Sequence, residues 1–278
     1  MPSLGKIFNS CSRIKKSGNV YNRLEVTSVY LRLVFKKIFL SKRKQKCISG
    51  SYRFFGKKVR FISFNTFFIL FNEIFITTEY YFKSSKSRPF IIDCGSNIGM
   101  SILFYKYIYP DAEIIGFEPD LYAFEILSEN VINNKLSNTT VFQKALADKD
   151  GVISFYYDVE NISSLQMSIV KERVSKSKIE VECTTLSKYI NKNVDFLKLD
   201  IEGAEILVIR NLDEKNKLKY IDKMVIEYHH HIRKNEDILS EMLSILEKND
   251  FGYQISAQAD TSYKSSYMQD IMIYVYKK

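Results

Sequence analysis

The sequence predicts an α/β fold, in which helices cover both faces of a mostly parallel β-sheet that ends in an antiparallel hairpin. Three observations support this prediction. From Pro89 onward, short apolar runs alternate with segments of helical periodicity, and repeated βαβ units form parallel sheets. A glycine-containing turn follows the first of these runs. No helical segment separates the last two predicted strands, 250–256 and 270–276, so we expect them to pair as an antiparallel hairpin.

The first predicted strand and the helix after it come from the segment Pro89–Gly99. Ile91 and Ile92 stand in a short apolar run bounded by Pro89 and Gly95, which is typical of a parallel strand buried on both faces. The remaining elements follow from the same patterns along the chain. We predict strands over 90–94, 112–117, 139–145, 194–199 and 221–228, helices over 98–108, 120–133, 203–211 and 236–248, and a hairpin-like excursion over 151–183.

Three zones are visible along the chain. Residues 1–50 form a basic amphipathic extension, residues 51–88 contribute a cap of short strands and a linker, and residues 89–278 form the main domain. Aromatic and polar residues alternate in YRFFGKKVRFISF and in FFILFNEIFI. This alternation predicts short antiparallel strands within 51–82.

The N-terminal extension is predicted to be partly helical, with separate apolar and basic faces. Apolar residues recur at i, i+3, i+4 and i+7, and basic residues share another face. The apolar set is Leu31, Val34, Phe35 and Ile38, and the basic set is Arg32, Lys36 and Arg43. Such a helix suits either a membrane surface or packing against the main domain.

The amino-acid composition limits the classes of protein to which the chain can belong. The 278-residue chain is 46% hydrophobic and 14% aromatic, which is enough for a packed core. Its net charge of +9 is concentrated near the N-terminus, where residues 1–46 hold twelve Lys and Arg against one acidic residue, Glu25. Because the rest of the chain is close to neutral, its overall basicity says little about what the main domain binds.

The cysteines and the hydropathy of the chain indicate the cellular compartment in which we expect the protein. The chain has four cysteines and no C-x-x-C pair, which argues against a zinc site and against a disulfide-stapled secreted domain. The first residues lack the apolar core of a signal peptide, and polar residues interrupt the longest apolar stretch, Phe61–Ile76. We therefore expect a cytoplasmic protein, either free or peripheral on the inner face of the membrane. The cysteines are Cys11, Cys47, Cys94 and Cys183.

Gly95 and Gly99 bracket a turn that opens the first helix of the main domain. Their spacing, G-x-x-x-G, differs from the G-x-G-x-x-G of dinucleotide-binding proteins. A pyrophosphate would need glycine-exposed amides at this helix N-terminus. An adenosyl ligand that carries an amino acid in place of phosphates needs polar side chains there, and Ser96 and Asn97 supply them.

Glu118 lies 25 positions after Asp93, near the interval at which nucleotide-binding α/β folds place a ribose-binding acid. We expect Glu118 to accept hydrogen bonds from both ribose hydroxyls, the alternative being a solvated acid beside a helix. Asp120 suits the N-cap of the following helix. At the end of the third strand, the backbone groups of Lys144, Ala145 and Leu146 are expected to reach the adenine edge.

The fourth strand and the turn after it lie in the segment Val194–Glu205. Leu197 and Leu199 should face one side of the sheet, and Lys198 and Asp200 the other. A lysine and an aspartate at a central strand end cost several kcal/mol unless they pair or face a cleft. We therefore expect both side chains at a site beyond the carboxyl edge of the sheet.

Two further acids, Glu202 and Glu205, follow Asp200 around a glycine turn into a helix, with Lys198 available as a counter-ion. Glu205 is explained by the preference of a helix N-terminus for negative charge. That preference does not explain Asp200, which precedes the helix.

The fifth strand, MVIEYHHH, ends in Glu227 and three consecutive histidines. His229 is a candidate general base, because imidazole titrates near neutral pH. His230 and His231 suit a solvated loop equally well. Metal binding is an alternative for this run, but one extended segment cannot enclose an ion without carboxylates from a neighbouring strand, and we assign no metal ligand.

Six segments together resemble the FkbM-type family of S-adenosylmethionine-dependent methyltransferases over roughly residues 51–256. The resemblance implies a Rossmann-like class I methyltransferase sheet, S-adenosylmethionine as the cofactor, and O-methyl transfer, often to sugar or polyketide hydroxyls. It also implies cofactor contacts at Asp93, Gly95, Asn97 and Glu118, and a polar active-site edge at Asp200 and Glu202. The matching segments are FNEIFITTEYY, IIDCGSNIG, GFEPD, ALAD, FLKLDIEGAE and IEYHHH.

Taken together, these patterns define a candidate site. The predicted cofactor-binding residues are Asp93, Gly95, Ser96, Asn97, Gly99, Glu118, Pro119, Ala145 and Leu146. The predicted catalytic residues are Asp200, Glu202 and His229. The pocket walls are expected from 51–82, 158–178 and 257–269.

The sequence says less about binding partners than it does about the candidate active site. The expected acceptor is a small molecule or glycan, and residues 1–50 are expected to contact an anionic membrane. One alternative is a nucleic-acid methyltransferase guided by the basic extension. No Asn/Asp-Pro-Pro-Tyr/Phe motif follows the fourth strand, which argues against amino-methylation of nucleobases. A second alternative is a non-enzymatic membrane-associated module with a vestigial cofactor site. Acceptor identity and oligomeric state have no signal in the sequence.

Overall fold

A seven-stranded sheet lies at the centre of the computed structural model, which describes residues 22–40, 49–157, 177–230, 232, 238–257 and 269–278. Its strands, in spatial order and numbered along the chain, are β11 (Phe251–Ala257), β12 (Gln269–Lys277), β10 (Lys223–His230), β9 (Phe196–Leu199), β3 (Phe90–Cys94), β4 (Glu113–Phe117) and β5 (Thr139–Phe142). Strands β10, β9, β3, β4 and β5 are parallel, and β12 pairs antiparallel with both β10 and β11. This arrangement confirms the predicted α/β sheet and its final antiparallel hairpin.

The helices and strands alternate as expected over most of the main domain. The strands are β1 Gly50–Phe54, β2 Lys57–Phe61, β3 Phe90–Cys94, β4 Glu113–Phe117, β5 Thr139–Phe142, β6 Ala145–Leu146, β7 Gly151–Tyr157, β8 Ser177–Thr184, β9 Phe196–Leu199, β10 Lys223–His230, β11 Phe251–Ala257 and β12 Gln269–Lys277. The α-helices are α1 Arg23–Phe39, α2 Phe64–Phe71, α3 Met100–Ile108, α4 Leu121–Asn133, α5 Glu205–Glu214 and α6 Leu239–Lys248.

Alternation along the strands divides the apolar side chains between two cores. Ile91 and Phe196 face the core that contains α1 to α4, whereas Ile92 and Leu197 face the core that contains α5 and α6. All four side chains are nearly inaccessible to solvent. Because the parallel strands β3, β4 and β9 end at one edge, the loops that follow them meet there.

The apolar segment after β2 is helical, so the strand predicted from FFILFNEIFI is wrong. Residues Phe64–Phe71 form α2, and Asn72–Ile76 continue it as a π-helical turn. The large side chains recur with helical spacing and are buried: Phe64, Phe67, Phe68, Phe71, Ile74 and Phe75. The aromatic content favours a strand locally, but burial of this one helical face outweighs that preference. The two strands predicted from YRFFGKKVRF are confirmed as the antiparallel pair β1–β2.

The third parallel strand is shorter than predicted. It ends at Phe142 rather than at residue 145, and Ala145 and Leu146 leave the central sheet. They pair instead with Cys183 and Thr184 in a separate three-stranded sheet, of order β6-β8-β7. The partner strand lies far along the chain, so a local pattern could not predict this pairing.

Helix α1 packs against the main body through one face. Asn22 caps it by accepting a hydrogen bond from the amide of Glu25. Its buried side chains belong to the same apolar core as α2, α3 and α4; they are Val26, Val29, Tyr30, Leu33 and Val34. Within the described part of the chain, no helix combines the length and the apolar character that a membrane crossing requires.

Candidate active site

A cavity opens at the carboxyl edge of the parallel strands. Its walls come from the loops after β3, β4 and β9, from β6, and from helix α2 and the turn after it. The predicted site residues among its lining are Gly95, Ser96, Asn97, Glu118, Pro119, Ala145, Leu146, Asp200 and Glu202. Its other polar lining residues include Glu73, Tyr80, Lys198 and Glu227.

The turn after β3 has the left-handed backbone that its glycines predict. Gly95 and Gly99 have φ of 85° and 87°, and Asn97 between them has φ of 48°. A Cβ atom at position 95 would lie 1.8 Å from the carbonyl oxygen of Asp200. Only glycine therefore allows the turn after β3 to approach the strand end of β9 this closely.

Glu118 is fixed at the end of β4 by backbone amides. Its Oε2 accepts a hydrogen bond from the amide of Asn97 at 2.8 Å, and its Oε1 accepts one from the amide of Asp120 at 2.9 Å. Burial raises the pKa of Glu118 to about 7, although these two hydrogen bonds act in the opposite direction. Each carboxylate oxygen keeps a further lone pair that could accept a hydroxyl from a ligand.

Two other predicted cofactor residues have internal partners. Asp93 is fully buried, and its Oδ2 accepts a hydrogen bond from the hydroxyl of Ser101 at 2.6 Å. Ser96 donates its hydroxyl to the carbonyl oxygen of Asp93 at 3.0 Å. These contacts hold the turn from beneath. Asp93 and Gly99 lie outside the lining of the cavity.

Lys198 is a buried cation at the centre of the site. Its Nζ lies 3.1 Å from Asp200 Oδ2 and 3.6 Å from Asp93 Oδ1, and it donates a hydrogen bond to the carbonyl of Gly95 at 2.9 Å. Burial lowers the pKa of Lys198, but Asp200 and Asp93 more than offset this effect and raise it overall. The lysine thus links the ends of β3 and β9 and neutralises part of their negative charge.

Tyr80 connects two carboxylates at the other end of the cavity. Its hydroxyl lies 2.9 Å from Glu227 Oε2 and 3.2 Å from Asp200 Oδ2, so the two acids compete for one proton donor. Lys198 lies 4.7 Å from the centre of the Tyr80 ring. Asp200, Tyr80 and Glu227 form a continuous polar chain, which we call the acid chain.

The pKa values of the two carboxylates in the acid chain are shifted in opposite directions. Burial acts to raise the pKa of Asp200, but Lys198 and the hydrogen bonds that Asp200 accepts lower it below its ordinary value. Burial and the charge of Asp200 raise the pKa of Glu227 to about 8. Glu73, on the turn after α2, has a pKa raised to about 8 by burial and by nearby carboxylates. Paired acids whose pKa values diverge are typical of sites that move a proton.

Glu202 and His229 lie side by side behind the acid chain. His229 Nε2 lies 3.2 Å from Glu202 Oε2, and its Nδ1 lies 2.9 Å from Glu205 Oε1. The histidine is buried and does not line the cavity. Glu205 also accepts the amides of Ile201 and Gly203, so it fixes the turn into α5. Glu202 has φ of 60°, a left-handed conformation that is strained for a non-glycine residue.

The comparisons with known proteins agree with this geometry. A family model described as the Methyltransferase FkbM domain matches residues 93–255, more than half of the chain. The chain belongs to the FkbM methyltransferase family.

Relatives of known name are similar to parts of the chain. Methyltransferase sdnD of Sordaria araneosa is 30% identical over 162 residues, which cover 47% of this chain and 62% of that protein. The 31-O-demethyl-FK506 methyltransferase FkbM of Streptomyces tacrolimicus is 23% identical over 201 residues, which cover 61% of this chain and 74% of that protein. The match to the first relative therefore spans less than two thirds of its length.

TYW2 of M. jannaschii in complex with AdoMet superposes with a TM-score of 0.43 at 12% sequence identity, covering 86% of this chain and 90% of that chain.

Membership of the FkbM family confirms S-adenosylmethionine as the cofactor of this domain. The residues fit this group on structural grounds. Gly95 allows the turn after β3 to lie against the end of β9, where a Cβ would meet the carbonyl oxygen of Asp200, and Glu118 offers a fixed carboxylate for two ribose hydroxyls. Asn97 and the β6 residues Ala145 and Leu146 complete the same end of the cavity.

One described group of side chains has the spacing of a metal site. Single ligand atoms of Asp200, Glu227 and His229 lie within 4.8 Å of one another. Lys198 and Tyr80 already contact the two carboxylates of this group. We assign no metal to it.

Sequence reasoning missed three residues of this FkbM site. Glu73 and Tyr80 lie in the segment FNEIFITTEYY, and Glu227 precedes the histidines, but none was predicted as a site residue. An available signal was a glutamate inside an otherwise apolar run, which burial makes costly without a function or a partner. Of the predicted pocket walls, residues 158–176 and 258–268 lie outside the described residues, as does His231.

Proposed function

We propose that this protein is an S-adenosylmethionine-dependent O-methyltransferase that acts on a hydroxyl group of a sugar, a glycan or a related neutral small molecule. The observation that carries the proposal is the acid chain, Asp200–Tyr80–Glu227, placed in the same cavity as the cofactor turn. It provides proton acceptors where an acceptor hydroxyl would enter. The FkbM relative whose name describes an O-demethylated substrate supports transfer to oxygen.

One end of the cavity, the cofactor end, binds and orients the cofactor. We assign this role to Gly95, Asn97 and Glu118, with Pro119, Ala145 and Leu146 as further walls. Asp93 and Gly99 act indirectly, because they shape the turn from outside the cavity lining, and Ser96 both lines the cavity and holds the turn through its hydrogen bond to the carbonyl of Asp93. When bound, the cofactor supplies a methyl group already activated on a positively charged sulfur. The protein therefore gains most from alignment, which can contribute about 7–11 kcal/mol.

The acceptor end has the task of orienting the hydroxyl and removing its proton. Asp200 is ionised at neutral pH and can accept a hydrogen bond from the acceptor hydroxyl without becoming protonated. Glu227, with its pKa of about 8, is the stronger base and takes the proton. Tyr80 holds the two carboxylates together, and Lys198 keeps Asp200 charged. Proton removal of this kind contributes about 10²–10⁴-fold in rate.

Glu202 and His229 complete the proposed catalytic set in different ways. Glu202 lines the cavity and is held in a strained backbone conformation, so it can contact the acceptor directly. His229 lies behind it and acts as a positioning residue through its contacts with Glu202 and Glu205. A positive charge on His229 would also lower the pKa of Asp200.

The charge of the acceptor end favours neutral acceptors. Four acidic side chains line it, Glu73, Asp200, Glu202 and Glu227, against one buried lysine that is already paired. Asp200 is ionised at neutral pH, and Glu73 and Glu227 add negative charge as they ionise with pKa values of about 8. A phosphate or carboxylate on the acceptor would meet like charge at short range, which is costly in a partly buried site. This arrangement also disfavours a nucleic-acid acceptor, whose phosphates would lie near the entrance.

The test is transfer of a labelled methyl group to an unidentified acceptor. Purified protein is incubated with S-adenosylmethionine carrying an isotopically labelled methyl group and with glycan, lipid and small-molecule fractions from the source cells. We expect a labelled product whose mass exceeds that of its precursor by one methyl substitution, with the label on oxygen. Label on nitrogen or carbon, or label incorporated equally by Asp200→Asn, would contradict the proposal.

A further inference from the structure

Helix α1 has two apolar faces, of which only one is used inside the protein. The buried face packs into the core with α2, α3 and α4. The opposite face also carries large apolar side chains, and these are exposed to solvent. The exposed set, here called the outer stripe, is Leu24, Leu31, Phe35, Ile38 and Phe39.

The outer stripe follows one side of α1 and is densest between Leu31 and Phe39, since Thr27 and Ser28 separate Leu24 from the other members. At 3.6 residues per turn, its five members fall within about 100° of the helix circumference. The rings of Phe35 and Phe39 are in contact, with centroids 4.4 Å apart. Leu24, Phe35 and Phe39 are 84%, 64% and 72% exposed. Isolated apolar residues on a surface are ordinary, but a contiguous apolar patch indicates an interaction site.

The concentration of exposed apolar side chains on this helix is unusual for the molecule. Of the twelve large apolar side chains that are exposed in the described part of the chain, five lie on this one 17-residue helix. Of the other seven, three lie on α4 and the remaining four lie on separate elements. The stripe is therefore a local feature of α1 and not a general property of the surface.

Contacts on the inner side prevent α1 from turning the stripe inward. Val26 and Leu33 are fully buried. Lys36 lies over the rings of Tyr52 and Phe64, and Lys37 lies over the ring of Phe68. These contacts fix which face of α1 points outward.

The charge of the surrounding sequence identifies the partner that suits this stripe. Residues 1–46 hold twelve basic residues and a single acidic one. Within α1, Arg32 is exposed beside the stripe. An apolar stripe flanked by basic residues is typical of helices that lie in the interface of an anionic bilayer, because the apolar side chains enter the acyl region while the cations meet the headgroups.

We propose that α1 docks on the surface of an anionic membrane through the outer stripe, with the basic segments of residues 1–46 contributing electrostatic attraction. The site of methyl transfer lies on the far side of α2, whose Thr66 and Leu70 line the cavity while its Phe68 contacts Tyr30 of α1. Docking through α1 is independent of which acceptor the protein methylates.

The first experiment uses the absence of tryptophan from the chain. Phe35→Trp introduces a single reporter into the stripe, and Tyr122→Trp introduces a matched one at an exposed position of α4. The full-length variants are mixed with vesicles of phosphatidylcholine alone or of phosphatidylcholine with phosphatidylglycerol. We expect a blue shift of the emission only for Phe35→Trp and only with the anionic vesicles.

The second experiment measures binding by vesicle flotation. Replacing Leu31, Phe35 and Phe39 together by serine should weaken binding to anionic vesicles at least tenfold, whereas Tyr122→Ser with Ile132→Ser should leave it unchanged. Binding of S-adenosylhomocysteine by calorimetry checks that both variants stay folded. Raised salt should weaken the binding of the wild type.

Three outcomes would overturn the proposal. One is the absence of flotation with anionic vesicles. A second is equal binding by the wild type and the triple serine variant, which would assign the interaction to the basic segments alone. The third is a change from dimer to monomer in the triple variant by analytical ultracentrifugation without membranes, which would make a second copy of the chain the partner of the stripe.

Discussion

The two ends of the cavity are built on different principles. At the cofactor end, the polar groups mainly meet backbone: Glu118 accepts two amides, and the turn at Gly95 approaches the backbone of the next strand. At the acceptor end, side chains meet side chains, as in the contacts of Tyr80 with Asp200 and Glu227. The cofactor end is thus held by the fold itself, whereas the acceptor end depends on the charge state of a few residues.

This difference separates binding from chemistry. Backbone contacts change little with small substitutions of side chains, and they suit recognition of one fixed ligand. A cluster of coupled acids changes its charge near neutral pH and suits proton transfer. Substitutions at the cofactor end should therefore abolish cofactor binding. Substitutions at the acceptor end should slow turnover while the cofactor still binds.

The largest effect is expected at Gly95. Gly95→Ala places a Cβ on the carbonyl oxygen of Asp200, so the turn must move and S-adenosylmethionine binding should fall below detection by calorimetry. Gly56→Ala is the matched control, because Gly56 has a similar left-handed φ of 70° but open space around it. Equal affinity in the two variants would show that the close approach has no role in binding.

Asp200→Asn should have the next largest effect, on turnover. The substitution keeps the shape of the side chain but removes the charge that pairs with Lys198 and orients the acceptor. We expect kcat to fall by about 10²–10⁴-fold while the affinity for S-adenosylmethionine changes little. Steady-state kinetics with labelled S-adenosylmethionine and the acceptor would measure the fall in kcat, with the surface variant Glu129→Gln as control. Unchanged kcat would remove Asp200 from the mechanism.

Glu227→Gln tests the identity of the base through the pH profile. With a pKa of about 8, Glu227 is mostly protonated at neutral pH, so the kcat/KM of the wild type should rise with pH and level off above this value. Glu227→Gln should lose this rising limb along with about 10²-fold in rate. Glu73 titrates in the same range, and Glu73→Gln should keep the limb. If Glu73→Gln abolishes it instead, the assignment of the base is wrong.

His229→Ala should have the smallest catalytic effect of the four. Because His229 does not line the cavity and acts mainly by positioning Glu202, we expect about a tenfold loss in kcat, less than the 10²-fold that misplacement of a reacting group costs. Loss of its hydrogen bond to the buried Glu205 should also destabilise the protein by about 1–3 kcal/mol. Thermal denaturation measures this second effect. A loss in kcat as large as that of Asp200→Asn would place His229 among the catalytic groups.

The cofactor end was predictable from the sequence because its signals are local. The spacing of Gly95, Asn97 and Glu118 is set by one strand, one turn and the next strand, and the structure gathers all three at one cavity. The final hairpin followed from the missing helix between two strands. These inferences needed only short-range geometry.

The acceptor end was predicted only in part because its contacts are long-range. Asp200 stood out as a charge at the end of a buried strand, but its partner Tyr80 lies 120 residues away. Glu73 was hidden by the wrong assignment of its segment to a strand, where aromatic content suggested one element and helical burial produced another. The pairing of Ala145 and Leu146 with β8 was likewise set by residues distant in the chain.

Calorimetric titration with S-adenosylmethionine and S-adenosylhomocysteine, using the wild type and Glu118→Ala, shows whether the cavity binds the cofactor through Glu118. We expect the wild type to bind both ligands and Glu118→Ala to bind neither. Because Glu118 must be ionised to accept two ribose hydroxyls, the affinity of the wild type should fall as pH drops below the Glu118 pKa of about 7. Absence of heat with the wild type would show that the cavity is not a cofactor site, and equal affinity in Glu118→Ala would show that Glu118 does not hold the ribose.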